Sequence, residues 1–174
     1  MVKLSERLML IAEQIKKNEI AADIGTDHGY LPVWLLQNGI AETAIAADIH
    51  AGPLANARQS THAYDLTERF RFVLADGLQF PDAKDADVIT IAGMGGETIC
   101  AIMAAAPWLQ EGRRLILQPQ SAGQALRQYL AGHGFLIERE ALAQDGHFLY
   151  TVLRAKKGTM PPLTPGQQYA TPQL

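Results

Sequence analysis

The hydrophobic positions of the chain follow a helical period in some stretches and form short continuous runs in others. Leu4, Leu8, Ile11 and Ile15 recur at steps of four, three and four, which predicts an amphipathic helix over these residues. After this helix, short buried runs alternate with helical patterns, and the last two runs follow one another without a helix between them. The order predicts an α/β fold with a mostly parallel sheet, an antiparallel edge hairpin and helices on both faces.

The predicted elements can be placed along the chain from these patterns. Strands are predicted at about 20–24, 43–49, 70–74, 87–91, 114–118, 135–139 and 148–154. Helices are predicted at about 30–38, 53–63, 97–106 and 123–131, and a polar loop at 81–85. From Gly158 onward, prolines with glycine and glutamine predict a poorly structured tail. The expected organisation is one domain over residues 1–157 and a flexible tail over residues 158–174.

Composition narrows the class of protein. The chain has 174 residues, of which 48% are hydrophobic and 19% charged, as is normal for one globular domain. No run approaches the length of a membrane span, and the first 17 residues lack the layout of a signal peptide, so a cytoplasmic location is expected. The single cysteine excludes an internal disulfide. A net charge of -3 argues against a body that is basic all over but leaves local basic clusters. No membrane or metal partner is predicted, and a monomer is favoured.

The first strand, turn and helix carry the strongest chemical signal. The turn reads Asp-x-Gly-x-Asp-x-Gly, with Asp23, Gly25, Asp27 and Gly29 at the named positions. In an open parallel sheet, such a turn is where a nucleotide-like ligand binds. Two carboxylates repel a pyrophosphate and favour a positively charged ligand such as S-adenosylmethionine. The alternative is an ordinary strand-turn-helix joint with solvated acids.

Two further carboxylates stand at the ends of the next two strands. Asp48 comes 19 residues after Gly29, close to the offset at which an acid reaches the ribose hydroxyls of a nucleotide. Asp76, followed by Gly77, can accept a hydrogen bond from an adenine amino group. The alternatives are a helix-capping or loop acid at position 48 and a turn acid at position 76.

A glycine-rich loop is predicted after the fourth strand, on the substrate side of the site. Gly93, Gly95 and Gly96 allow close approach of another group, and a flat base can lie against their backbone with Met94 as an adaptable apolar contact. The alternative is a tight strand-helix connection with Met94 in the core. The amides of residues 118 and 120 are placed to line the same edge.

Together these motifs resemble one known family. The chain is similar to the bacterial tRNA (adenine(22)-N(1))-methyltransferases, a family of class I S-adenosylmethionine-dependent methyltransferases with a Rossmann-like seven-stranded sheet. The resemblance covers about residues 2–155 and is carried by these segments: Lys3-Leu4-Ser5-Glu6-Arg7-Leu8, Ala22-Asp23-Ile24-Gly25-Thr26-Asp27-His28-Gly29-Tyr30-Leu31-Pro32, Gly52-Pro53-Leu54, Asp76-Gly77-Leu78, Ile91-Ala92-Gly93-Met94-Gly95-Gly96 and Leu117-Gln118-Pro119. It implies S-adenosylmethionine as methyl donor and N1 of an adenine in tRNA as acceptor.

The resemblance also implies roles for individual residues. The cofactor-binding residues would be Asp23, Gly25, Thr26, Gly29, Asp48, Ile49, Asp76 and Gly77. The catalytic residues would be Asp27, His28, Tyr30, Gly93 and Met94. Asp27 would stabilise the developing charge on the base or, alternatively, hold the cofactor ammonium. His28 and Tyr30 can stack on the base, although a histidine in such a turn is more often a local structural donor.

The family continues after the sheet into a helical C-terminal domain that helps to bind tRNA, and residues 163–165 resemble the start of that domain. An alternative function is therefore a catalytically silent S-adenosylmethionine-binding module associated with RNA. Another alternative is a methyltransferase acting on a different RNA or on a small molecule. A nicotinamide-dependent oxidoreductase is disfavoured, because Asp27 stands in the turn where that class binds a phosphate.

Overall fold

The fold, seen in a computed structural model that describes residues 1–171, alternates strands and helices as far as the fifth helix. The strands are β1 (Ala21–Ile24), β2 (Ala44–Asp48), β3 (Phe70–Leu74), β4 (Val88–Gly95), β5 (Arg114–Ser121), β6 (Phe135–Asp145) and β7 (Phe148–Lys157). The helices are α1 (Glu6–Ala12), α2 (Tyr30–Gln37), α3 (Ala51–His62), α4 (Gly96–Ala104) and α5 (Gly123–Gly132).

The strands form one sheet in the order β3-β2-β1-β4-β5-β7-β6. The first five strands are parallel, and β7 runs antiparallel to both β5 and β6. Two buried clusters cover the faces of this sheet, one built with α4 and α5 and the other with α1 and α2. The predicted fold class, a Rossmann-like sheet with an antiparallel edge hairpin, is confirmed. Because β1 and β4 are adjacent parallel strands in the middle of the sheet, their carboxyl ends lie side by side at the same edge of the sheet.

Helix α1 is shorter than its hydrophobic period predicted. It begins after Ser5, whose Oγ accepts a hydrogen bond from the Leu8 N–H at 3.4 Å, and it ends at Ala12. The N-cap therefore excludes Leu4 from the helix, although Leu4 and Ile15 are both buried at its two ends. A second local difference is that residues 81–85, predicted as a polar loop, form a short 3-10 helix.

The glycine-rich segment after β4 was predicted as a loop, and this prediction was wrong for residues 93–95. These residues continue β4, because β5 extends to Ser121 and pairs with them across two register shifts. Gly96 then starts α4, and a Cβ atom at this position would lie 2.3 Å from the Ala122 carbonyl oxygen. The glycines thus permit an irregular strand pair and a close helix contact at the same edge.

The segment after β7 has no helix or strand as far as residue 171, and it packs against α5 and β6. The Gln168 side chain accepts hydrogen bonds from the amides of Gln124 and Gln128, both at 2.8 Å. Thr171 is buried and donates to the Glu140 carboxylate from its N–H at 3.0 Å and its hydroxyl at 2.7 Å. The division into residues 1–157 and a flexible tail stays a prediction, and residues 172–174 lie outside the described part.

Candidate functional site

The turn between β1 and α2 is built around two glycines with left-handed backbone. Gly25 and Gly29 have φ angles of 77° and 67°, which L side chains rarely adopt. The Gly25 and Thr26 N–H groups donate to the Ala47 carbonyl at 2.8 and 3.1 Å, so the turn is tied to the end of β2. Gly29 also lies against α3, where an added Cβ would come within 3.1 Å of the Ala57 Cβ. The backbone is therefore fixed while its side chains surround an open space.

This space is a cavity of about 390 Å³, called here the turn cavity. It brings together seven of the residues predicted for the site with residues of α1, β4 and β5. Its lining is Arg7, Leu8, Asp23, Gly25, Asp27, His28, Gly29, Tyr30, Leu31, Ala92, Gly93 and Gln120. Carboxylates and the single guanidinium give it a polar wall suited to a charged ligand.

Asp23 is the most perturbed carboxylate of the turn cavity. Its burial raises the pKa from 3.8 to about 6. Thr26 and the Arg7 guanidinium act in the opposite direction, whereas the negative charge of Asp48 raises the pKa further. Within residues 1–171, Asp23 has no ion-pair partner. A bound cation beside Asp23 would favour the ionised form and offset the cost of burying it.

Arg7 is a site residue that the sequence predictions did not include. Its Nη1 donates to the Gln118 Oε1 at 2.6 Å, a contact between residues 111 positions apart. The same oxygen accepts from the Gly93 N–H at 3.1 Å, and the Gln118 Nε2 donates to the Pro119 carbonyl at 2.9 Å. The buried Gln118 thus links α1 to the end of β4. The predicted placement of the strand-end amides at this edge agrees with the structure, but only the fold places Arg7 there.

Asp27, His28 and Tyr30 form the outer rim of the turn cavity. The Asp27 side chain is 76% exposed, and its Oδ2 lies 3.4 Å from the His28 Nε2. The rings of His28 and Tyr30 are stacked, with centroids 5.2 Å apart and planes inclined by 13°. An accessible carboxylate next to an exposed pair of stacked rings can receive a flat, polar group from solvent.

A second cavity of about 340 Å³, called here the strand-end cavity, lies between β2, β3 and α4. It contains Asp48, Ile49, Asp76, Gly77 and Met94 of the predicted site, together with Ile24, Gly25, Ala75, Gln79, Thr98, Ala101, Ile102 and Ala105. An Oδ1 of Asp48 accepts from the His50 N–H at 2.8 Å, which fixes the carboxylate at the cavity wall. Apolar side chains with carboxylates at two strand ends are suited to a nucleoside, whose base is flat and whose hydroxyls and amino group donate hydrogen bonds.

Met94 divides the two cavities. A Cβ atom on Gly25 would lie 2.1 Å from the Met94 methyl carbon, so the thioether covers the one residue that both cavities share. Met94 therefore lies with residues predicted to hold the cofactor, whereas its neighbour Gly93 lines the turn cavity with Asp27. Thr26 is buried and lines neither cavity. The individual roles predicted for these residues stay predictions.

Within residues 1–171, no group of three or more histidine, cysteine, aspartate or glutamate side chains is arranged to hold a metal ion. No helix in the same range has the length and apolar character needed to cross a membrane.

The sheet order and the two cavities at its carboxyl edge define an α/β domain of the methyltransferase class, and the methyltransferase domain family matches residues 4–153. The tRNA (adenine(22)-N(1))-methyltransferase of Bacillus subtilis is 37% identical over 158 residues, which are 90% of this chain and 66% of that protein. The crystal structure of the B. subtilis m1A22 tRNA methyltransferase TrmK has a TM-score of 0.84 at 36% identity, covering 91% of this chain and 68% of the other. A Streptococcus pneumoniae structure in complex with S-adenosyl-L-methionine has a TM-score of 0.91 at 35% identity, covering 98% and 80%.

The chain belongs to the tRNA (adenine(22)-N(1))-methyltransferase family, as its motifs predicted. It spans about two thirds of the length of the B. subtilis relative.

Proposed function

We propose that this chain is the catalytic domain of an S-adenosylmethionine-dependent methyltransferase that modifies N1 of an adenine in tRNA, at the position equivalent to 22. The single observation that carries the proposal is the pair of cavities that meet at Gly25. One is lined by carboxylates around the unpaired Asp23, and the other is apolar with carboxylates at two strand ends. A cationic amino-acid end and a nucleoside end are the two halves of this cofactor.

The residues fit the cofactor by charge as well as by shape. Asp23 would hold the ammonium group, within the turn formed by Gly25, Thr26 and Gly29. Asp48 and Asp76 would hold the ribose and the adenine, with Ile49 and Gly77 against the base. When bound, S-adenosylmethionine supplies a methyl group on a positively charged sulfur. The S. pneumoniae relative in complex with S-adenosyl-L-methionine supports the identity of the cofactor.

Asp27, His28 and Tyr30 would receive the adenine that is methylated. Adenine N1 carries its own lone pair, so the protein has to align the base rather than remove a proton from it. The product ring is cationic, and the exposed Asp27 carboxylate at the cavity rim would stabilise the developing charge. The stacked rings of His28 and Tyr30 would hold the plane of the base, with Gly93 and Met94 on the side of the β4 end.

Four further features are proposed together with this function. The chain binds RNA, for which its local clusters of arginine and lysine provide phosphate contacts. It acts in the cytoplasm, where tRNA is modified, and it works as a monomer. Residues 1–157 form the methyltransferase domain, and the residues from 158 onward are a tail to it.

The proposal is tested by two measurements on one sample of the purified chain. Calorimetry with S-adenosylmethionine measures cofactor binding, and transfer of a labelled methyl group to unmodified tRNA measures activity. Binding followed by labelled 1-methyladenine is the expected result, with transfer that weakens as salt is raised. Binding without transfer to any tRNA would instead support a catalytically silent module, and no binding by a folded chain would contradict the cofactor assignment.

A further inference from the structure

The turn between β6 and β7 presents apolar side chains to solvent. Phe148 and Leu149 are 68% and 65% exposed, although they are large hydrophobic residues at the start of a strand. They follow Gly146, whose φ of 62° closes the hairpin. Adjacent apolar side chains exposed to this extent indicate a surface that contacts another molecule.

This exposed end is connected to the turn cavity through two aromatic rings, inclined to each other by 44°, and a guanidinium group. Phe148 and Tyr150 are two residues apart and therefore share one face of β7, with ring centroids 6.2 Å apart. The Arg7 guanidinium carbon lies 5.5 Å from the Tyr150 ring centroid, and the same side chain donates to Gln118 in the wall of the site. The two aromatic rings and the guanidinium thus form a continuous row from solvent to the turn cavity.

A third cavity, of about 440 Å³, lies between this aromatic surface and the end of β5, and we call it the hairpin cavity. Gln120 lines both the hairpin cavity and the turn cavity, so the two spaces are neighbours. Its other lining residues supply hydroxyl and aromatic groups and the Arg127 guanidinium, which is paired with Glu140, and within residues 1–171 none of them is acidic: Pro119, Ser121, Gly123, Arg127, Phe148, Leu149, Tyr150 and Thr151. By contrast, the groove between α1 and the hairpin contains Glu6 and Glu13. A phosphodiester is therefore accommodated better on the β5 side.

We propose that the hairpin cavity binds the nucleotide next to the target adenine, with its base stacked on the exposed ring of Phe148. The proposal deepens the proposed function and rests on it. To expose N1, the target adenine must leave its stack, and the neighbouring base then loses a partner. An exposed aromatic ring next to the turn cavity replaces that lost stacking. It accepts any base, since every base has a flat face.

The surface favours a nucleotide over a protein partner for two reasons. The surface reaches, through Arg7, the turn cavity in which the target base would react. An interface for a protein partner would not need to extend to that cavity. The surface is also mixed in polarity, since amide and hydroxyl groups from residues 120, 121 and 151 line the same cavity as the rings. Such a combination matches a base joined to a ribose and a phosphate.

The first test compares tRNA binding by the purified 174-residue chain and by its variants, measured by fluorescence anisotropy. Phe148→Ala is expected to weaken binding about tenfold, the loss of one base stack, while the affinity for S-adenosylmethionine stays unchanged. Phe148→Trp should restore binding. The matched control is Tyr64→Ala, which removes another exposed aromatic ring that lines none of the three cavities. Equal binding by Phe148→Ala and Tyr64→Ala would overturn the proposal.

The second test locates the contact by placing fluorescent 2-aminopurine directly 5′ or 3′ of the target adenine. Stacking should quench one of the two probes with the unmodified chain and with Tyr64→Ala, but not with Phe148→Ala. If methyl transfer to tRNA is normal and Phe148→Ala changes neither probe, this inference fails while the proposed function stands. If quenching depends on Phe148 but no methyl is transferred, the stacking site stands and the proposed function fails. A change in self-association caused by Phe148→Ala, with unchanged RNA binding, would assign the surface to a second copy of the chain and overturn the inference.

Discussion

Two carboxylates with shifted pKa values, the half-buried Asp23 in the central strand β1 and the buried Glu140 in the edge strand β6, are in different surroundings. Glu140 is 3% exposed and accepts hydrogen bonds from Arg127 and Thr171. Burial raises its pKa, but the bonds from Arg127 and Thr171 outweigh that effect and leave the pKa below its ordinary value. Asp23 has no ion-pair partner in the described part of the chain. The effect of burial is therefore larger than that of the neighbouring groups, and the pKa of Asp23 rises to about 6.

Because of this difference, we call Glu140 the structural carboxylate and Asp23 the binding carboxylate. Glu140 joins α5, β6 and the segment after β7, and its charge is satisfied within the protein. Asp23 faces the turn cavity, and within residues 1–171 no cationic side chain forms an ion pair with it. Perturbed groups of this kind are concentrated at functional sites, because binding energy can offset a cost that folding alone leaves uncompensated.

The largest effect on stability is expected from breaking the structural pair. Glu140→Ala leaves the Arg127 guanidinium buried without its partner, which should lower the free energy of unfolding by about 3–5 kcal/mol. Urea denaturation measures this change. The control is Glu138→Ala on the same strand, whose pairs with Arg154 and Lys156 are more exposed and should contribute less than about 1 kcal/mol. Similar losses in the two variants would show that Glu140 is not a structural carboxylate in this sense.

A large effect on catalysis, without an effect on stability, is expected at the cavity rim. Because the Asp27 side chain is 76% exposed, Asp27→Ala should leave the unfolding midpoint unchanged. If Asp27 stabilises the charge on the methylated base, kcat should fall by about 100-fold with little change in cofactor affinity. Single-turnover methylation and calorimetry on the same variant measure the two quantities. A loss of affinity with unchanged kcat would assign Asp27 to the cofactor ammonium instead.

A smaller loss is expected from neutralising the binding carboxylate. Asp23→Asn keeps the shape of the side chain and removes the charge that a cationic ligand needs, so S-adenosylmethionine should bind about 50-fold more weakly, or about 2.3 kcal/mol. The variant should be at least as stable as the unmodified chain at neutral pH, because a buried charge has been removed. Calorimetry and urea denaturation provide the two values. Asp82→Asn, at an exposed pair with Arg71, is the control that should change neither.

The sequence was sufficient to predict the order of the elements and the edge at which the site lies. Strand ends and glycine turns are local signals, and they placed Asp23, Asp48 and Asp76 at the carboxyl edge where the structure has them. The hairpin was predicted for the same reason, since two strands followed each other without a helix between them.

What the sequence could not supply are contacts between distant residues. Arg7 reaches Gln118 across 111 positions, and no local pattern indicates that α1 closes the turn cavity. The extension of β4 through residues 93–95 depends on its pairing with β5. Because of this pairing, glycines that by themselves predict a loop are part of a strand. Likewise, Met94 lies over Gly25 because of the register of two strands rather than its own sequence neighbours.

The final prediction concerns the pH dependence of the two carboxylates, which has opposite signs. The pKa of Asp23 is higher in the folded protein than its ordinary value of 3.8, so the folded state binds more protons between about pH 4 and pH 6. The contribution of Asp23 therefore makes the ligand-free protein less stable as pH rises through this window. The contribution of Glu140, whose pKa is lowered, is present above its ordinary value of 4.5 and is lost as pH falls below it.

Of these two carboxylates, only Asp23 should affect cofactor affinity, because Glu140 lines neither the turn cavity nor the strand-end cavity. Below about pH 6 the binding of a cation must first remove the proton from Asp23, so affinity should fall by up to about tenfold per pH unit. Calorimetry between pH 5 and pH 8 measures the slope, and Asp23→Asn should flatten it across that range. Urea denaturation over the same range should show the stability of Asp23→Asn changing less with pH than that of the unmodified chain. A slope in cofactor affinity that persists in Asp23→Asn would place the titrating group elsewhere and remove the contrast between the two carboxylates.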